Sequence, residues 1–88
     1  MHEARLIADL VRKIEALARE HGANRVTKVR VRLGALSHMT PEHFRDHFAL
    51  VTQGTVAEGA ETEIEVNHDT TAPDAHSVRL LEITVRKP

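Results

Sequence analysis

No cysteine, tyrosine or tryptophan occurs in the 88-residue sequence. Without cysteine there is no disulfide framework, and a zinc site built from paired CxxC motifs is excluded. Phe44 and Phe48 are the only two aromatics of the Phe, Tyr and Trp class, so there is no row of rings on which nucleic-acid bases stack. Neither sign of charge dominates. Twelve basic and thirteen acidic side chains leave a formal net charge of -1, which argues against nucleic acid or an anionic membrane as the main partner. No apolar run is long enough to span a bilayer, and Glu3, Arg5, Asp9 and Arg12 break up any signal-peptide core. The expectation is one soluble, cytoplasmic domain over residues 1–88 with an almost wholly aliphatic core.

What is present is clear periodicity. Over residues 3–21, Ile7, Leu10, Val11, Ile14, Leu17 and Ala18 fall on one helical stripe. Asp9 with Lys13 and Glu15 with Arg19 are acid-first pairs on the outer face. His21-Gly22 is a helix stop. RVTKVRVRL at 25–33 then alternates, with Val29, Val31 and Leu33 on one face and Lys28, Arg30 and Arg32 on the other. Thr40-Pro41-Glu42 opens a second helix whose buried stripe is Phe44, Phe48 and Val51, and Gly54 ends it. Alternation returns at 61–66, with Thr62, Ile64 and Val66 opposed to Glu61, Glu63 and Glu65. Leu81, Ile83 and Val85 mark a third strand beyond the polar stretch Asn67 to Ser77. The order α-β-α-β-β predicts an α+β fold, with two helices on one face of a three-stranded mixed sheet. A crossover links the first two strands, and a long-looped hairpin is expected between the last two.

Three features carry chemistry. The basic row Lys28, Arg30 and Arg32 can bind phosphate, or pair across strands with Glu61, Glu63 and Glu65, which have matching spacing and opposite sign. Cross-strand pairing is the default for such a face. His43 and His47 stand four apart on the second helix. That spacing can bring two imidazoles to one metal, with His38 or Glu42 as a third ligand. The alternative is a pair of exposed histidines beside the Phe stripe. No H-E-x-x-H, nucleophile triad or phosphate loop is present, so an enzyme has no positive support. Finally, the chain opens Met1-His2-Glu3. Methionine is generally trimmed only before small residues, so Met1 is expected to stay. The amine, a backbone amide and the His2 imidazole can then chelate one cation. A nitrogen-rich tetragonal set suits nickel(II) or copper(II). An ordinary histidine on a frayed end is the alternative.

A resemblance weighs between these readings. "MHEARL", "HGANRVTKVRVRLGALSHMTPEHF", "VTQGTVAEGAETEIE" and "LLEITV" are similar to the HypA/HybF hydrogenase nickel-incorporation proteins along nearly the whole chain. The resemblance implies a metallochaperone that holds nickel through His2, with backbone nitrogens of Met1, His2 and Glu3 beside it. It implies a maturation GTPase and the large subunit of nickel-iron hydrogenase as partners, and a nickel domain of two helices on a three-stranded sheet. Two departures stand out. The family carries a zinc domain with two CxxC motifs between its last two strands, and here the short segment 67–77 takes that place, so no zinc is expected. Where the family has an acid before Pro-Glu, this chain has Thr40. The departures give a second reading, a metal-free adaptor that kept a docking surface and lost delivery.

Overall fold

The apolar stripe of the first nineteen helical residues and the stop after them set the frame. The computed structural model describes residues 2–88, with side chains from Ala4 onward. Its elements are α1 (His2–Glu20), β1 (Arg25–Leu33), α2 (Pro41–Val51), β2 (Glu61–Val66) and β3 (Val78–Arg86). The α+β architecture and the α-β-α-β-β order are as the periodicity predicts. Ile7, Leu10, Val11, Ile14 and Ala18 of α1 are buried, while Leu17 is only half-buried. On the outer face Asp9 pairs with Arg12, one helical step short of the Lys13 that the spacing suggests. Gly22 closes the helix with φ of 64°. The Ala23 amide donates to the Ala18 carbonyl at 2.9 Å and the Gly22 amide to Arg19 at 3.1 Å. A positive φ and these two back-bonds satisfy carbonyls that the helix end would otherwise leave bare.

The sheet order is β2-β1-β3. The expected hairpin between the last two strands is therefore incorrect. β2 runs parallel to β1, and β3 runs antiparallel to it on the other side. The physical reason lies in β1. It is the strand with four apolar residues at almost no exposure, Val26, Val29, Val31 and Leu33. The central position gives that face the deepest cover. The segment between β2 and β3 is thus a crossing from one sheet edge to the other.

Both helices cover the same face. Phe44 and Phe48 of α2 join the α1 stripe, the β1 valines, Met39 and Ala57 in one core. Their rings stack with centroids 5.4 Å apart. Thr40 caps α2, its hydroxyl accepting from the His43 amide at 3.1 Å. Thr52, rather than Gly54, ends the helix, and its buried hydroxyl donates to the Phe48 carbonyl at 2.7 Å. Val51, expected in the stripe, is 39% exposed. It is the last helical residue, and the chain turns away from the core at Thr52.

Two irregularities in the β1–β3 pairing change which residues face inward. Val26 and Lys28 oppose Val85 and Thr84, so Thr27 is an extra residue on β1. Arg30 and Val31 oppose Glu82 and Leu80, so Leu81 is an extra residue on β3. A bulge shifts the two-residue period by one. As a result Val78 and Leu80, then Ile83 and Val85, pack on the core. The strand begins earlier than expected, and Leu80 takes the inward place that simple alternation assigns to Leu81.

The segment 67–77 is polar in composition, yet it is strapped to the loop before α2. Ala75 is buried. The Gly34 amide donates to the Ser77 carbonyl at 2.9 Å and the Leu36 amide to the Ala75 carbonyl at 2.7 Å. A Cβ at Gly34 would stand 2.2 Å from the Ala75 oxygen. Gly34 is therefore required by close backbone approach rather than by a turn.

Two substitutions test this packing. Phe48→Ala should cost about 3–5 kcal/mol in urea unfolding, as for a large aromatic removed from a core. Gly34→Ala should cost at least about 1–3 kcal/mol, because the strap must retreat to admit the methyl group. Unchanged midpoints would mean that the ring or the clamp contributes little to the folded state.

Candidate metal centre

The site expected from the sequence is the start of α1. The side chains of His2 and Glu3, and all of Met1, lie outside the described residues. The helical backbone from His2 onward is described, and its position has a chemical consequence. The first N–H groups of a helix have no carbonyl behind them to bond. A metal that displaces protons from these amides breaks no bond of the helical ladder. The helix macrodipole opposes a bare cation at this end. Loss of amide protons makes those nitrogens anionic and offsets that opposition. Nitrogen donors from a terminal amine, amides and one imidazole therefore suit this end of α1 chemically.

The other histidine candidates are described. His43 and His47 lie on the first turns of α2, with ring centroids 4.6 Å apart and planes inclined by 38°. His43 is exposed and His47 half-buried. His38 sits in the loop before α2, exposed, with φ of 60°, a backbone state uncommon outside glycine. Among the described residues, no three His, Cys, Asp or Glu side chains converge as a metal site. The structure thus brings His43 and His47 together and does not add His38 or Glu42 to them. Thr40 is occupied as the cap of α2.

The open face of the sheet carries the basic and acidic rows, and they are paired. Lys28 meets Glu63 at 2.9 Å, Arg30 meets Glu82 at 3.5 Å, and Arg32 meets Glu65 at 2.8 Å. Cross-strand pairing is what the spacing suggests, with two changes: Arg30 takes Glu82 of β3 as its nearer partner, and Lys28 is displaced by one place along β2. Lys28 lies in register with Glu61 but reaches diagonally to Glu63. The hydrogen bond and charge of Lys28 hold Glu63 below the ordinary carboxylate range, and Glu63 in turn raises Lys28. In the 67–77 segment, the Thr71 hydroxyl and amide both donate to Asp69 and lower it too. That segment is held by its own turn as well as by the Gly34 strap. Sequence reasoning missed the strap. Its signal was weak: Ala75 is one of two alanines, with Ala72, inside a polar run.

With this geometry in view, the chain can be set beside known proteins. The family model for hydrogenase/urease nickel incorporation, metallochaperone, hypA matches residues 1–72. The chain belongs to the HypA family. It is 46% identical over 66 residues to the hydrogenase maturation factor HypA of Methylocella silvestris, covering 75% of this chain and 58% of that one. It is 41% identical over 66 residues to the factor of the same name from Archaeoglobus fulgidus, covering 75% and 60%. The chain thus spans about three fifths of the length of these curated relatives. The solution structure of the Ni metallochaperone HypA from Helicobacter pylori superposes with a TM-score of 0.81 at 19% identity, over 100% of both chains. That likeness bears on the fold, the two-helix, three-stranded arrangement described above. Among the described residues, no helix is long and apolar enough to cross a membrane.

The paired face makes a testable prediction. Glu63 is lowered by Lys28, so the pair's contribution to stability is present above the ordinary carboxylate range. It is lost as pH falls through the lowered value. Both groups are exposed, and the effect on unfolding should be small and salt-sensitive. Carbon-detected NMR titration should find the Glu63 midpoint below that of an ordinary glutamate, and Lys28→Met should return it upward. An unmoved midpoint would show that the pair is not formed in solution.

Proposed function

We propose that this chain is a nickel-binding accessory domain, a metallochaperone-like carrier for the maturation of nickel-iron hydrogenase. The observation that carries the reading is Met1-His2-Glu3 at the head of α1 in a chain of the HypA family. His2 supplies the imidazole, and Met1, His2 and Glu3 supply backbone nitrogen. The role is to hold and hand over a cation in the cytoplasm, not to catalyse a reaction. Its partners are the maturation GTPase and the hydrogenase large subunit, reached by resemblance. The exposed charged face of α1, with Arg12 and Arg19, runs along the helix that starts at His2 and is the surface we assign to the GTPase.

The segment 67–77 stands where the family's zinc domain would be inserted. The 88 residues offer no thiolate, and so we infer that this domain handles nickel without zinc. The strap at Gly34 supports that inference, because backbone bonds close the segment onto the domain. The same missing cysteines favour one alternative, a metal-free adaptor that docks partners without carrying nickel.

Calorimetry on untagged protein separates the two. Nickel(II) should bind tightly at about one per chain, and His2→Ala should abolish that step. Affinity should rise between about pH 6 and 8, because an imidazole and an α-amine shed protons near 6.5 and 7.7–8.0 and must do so to ligate. One residue added before Met1 should weaken binding if the amine is a ligand. Tight binding that survives His2→Ala would overturn the carrier reading as stated, and no binding by the parent would leave the adaptor.

A further inference from the structure

The His43–His47 pair is the feature that the N-terminal nickel site does not use. Two imidazoles four residues apart on a helix share one face. Here the surroundings hold them there. The Thr40 cap fixes the first turn. Phe44 and Phe48, each the next residue after a histidine, are buried and anchor the helix to the core. The rings are therefore carried on a rigid, capped segment rather than on a loop. Neither ring is deeply buried, so water and ions reach them.

The spacing of the rings is informative. An imidazole nitrogen binds a borderline divalent cation at about 2.0–2.1 Å, and a ring centroid lies roughly 1.1 Å behind its nitrogen, placing the metal about 3.2 Å from each centroid. Centroids 4.6 Å apart then subtend an angle of about 90° at that metal. A tetrahedral centre would need centroids roughly 5.2 Å apart. The separation therefore matches neighbouring positions of an octahedral or tetragonal ion. Nickel(II) and copper(II) accept such neighbouring positions, and imidazole suits both. No third protein ligand converges among the described residues, so water fills the remaining positions and binding is weak.

We propose that His43 and His47 form a second, weaker site for nickel(II), independent of the N-terminus. The pair holds the ion as a two-imidazole chelate on the exposed face of α2. The site exchanges its ion quickly, as expected with two protein donors and several waters.

The test is a nickel(II) titration of the full chain carrying His2→Ala, read by calorimetry and by the histidine ring protons in NMR. The ring signals of His43 and His47 should broaden first and together, ahead of His21, His38, His68 and His76. Adding His47→Ala should weaken the remaining step at least tenfold, and His43→Ala with His47→Ala should remove it. The same double substitution in a chain that keeps His2 should leave the tight step and delete only the weak one. Circular dichroism confirms that each variant is folded. Equal broadening of all histidines, or a weak step unchanged by the double substitution, would overturn the proposal. Failure of the N-terminal site would show instead as a native chain with the weak step alone.

Discussion

Every strand pairing in this domain is made to β1. It is hydrogen-bonded to β2 on one side and β3 on the other, and it is two-faced. Val26, Val29, Val31 and Leu33 are almost wholly withdrawn from water, while Lys28, Arg30 and Arg32 stand on the opposite side and meet Glu63, Glu82 and Glu65. A one-residue slip would exchange the two faces and bury the cations. Register is therefore fixed by desolvation on one side and complementary charge on the other. The two helices follow from it, since only the valine face offers apolar area to α1 and α2.

This arrangement leaves function to the periphery. The open face is occupied by its own ion pairs. The core is aliphatic apart from Phe44, Phe48 and Met39, and the buried polar residues among those described are Ser37 and Thr52, neither of them a charged group. The remaining chemistry lies where elements begin. α1 begins at the head of the chain, where amides have no ladder partner, and α2 begins with a capped turn that carries two imidazoles. The Gly34 strap joins the loop before α2 to the segment before β3. It makes a short crossing sufficient to close the sheet.

Much of this was legible in the residues. The α1 stripe, the β1 alternation and the Thr40-Pro41 start rest on local periods and caps, and the structure has them with close bounds. What was not legible was non-local. Which strand is central depends on the summed burial of three strands, and no single one carries that information. The bulges at Thr27 and Leu81 shift a strand's phase without a glycine to mark them. Ala75 reads as part of a polar loop until Gly34 is placed beneath it. For the metal centre, the i,i+4 histidines were legible because helix geometry is local. Whether His38 joins them is a question of loop placement. The proposal for Met1-His2-Glu3 rests on the chemistry of an amine, amides and an imidazole and on family resemblance, and those side chains lie outside the described residues.

We propose that nickel is held by backbone nitrogen and His2 at the head of α1. X-ray absorption on untagged chain loaded with about one equivalent of nickel(II) tests it directly. A planar, nitrogen-rich first shell is predicted, with one imidazole that disappears in His2→Ala. A six-coordinate, oxygen-rich shell, or spectra that do not differ between parent and His2→Ala, would contradict it.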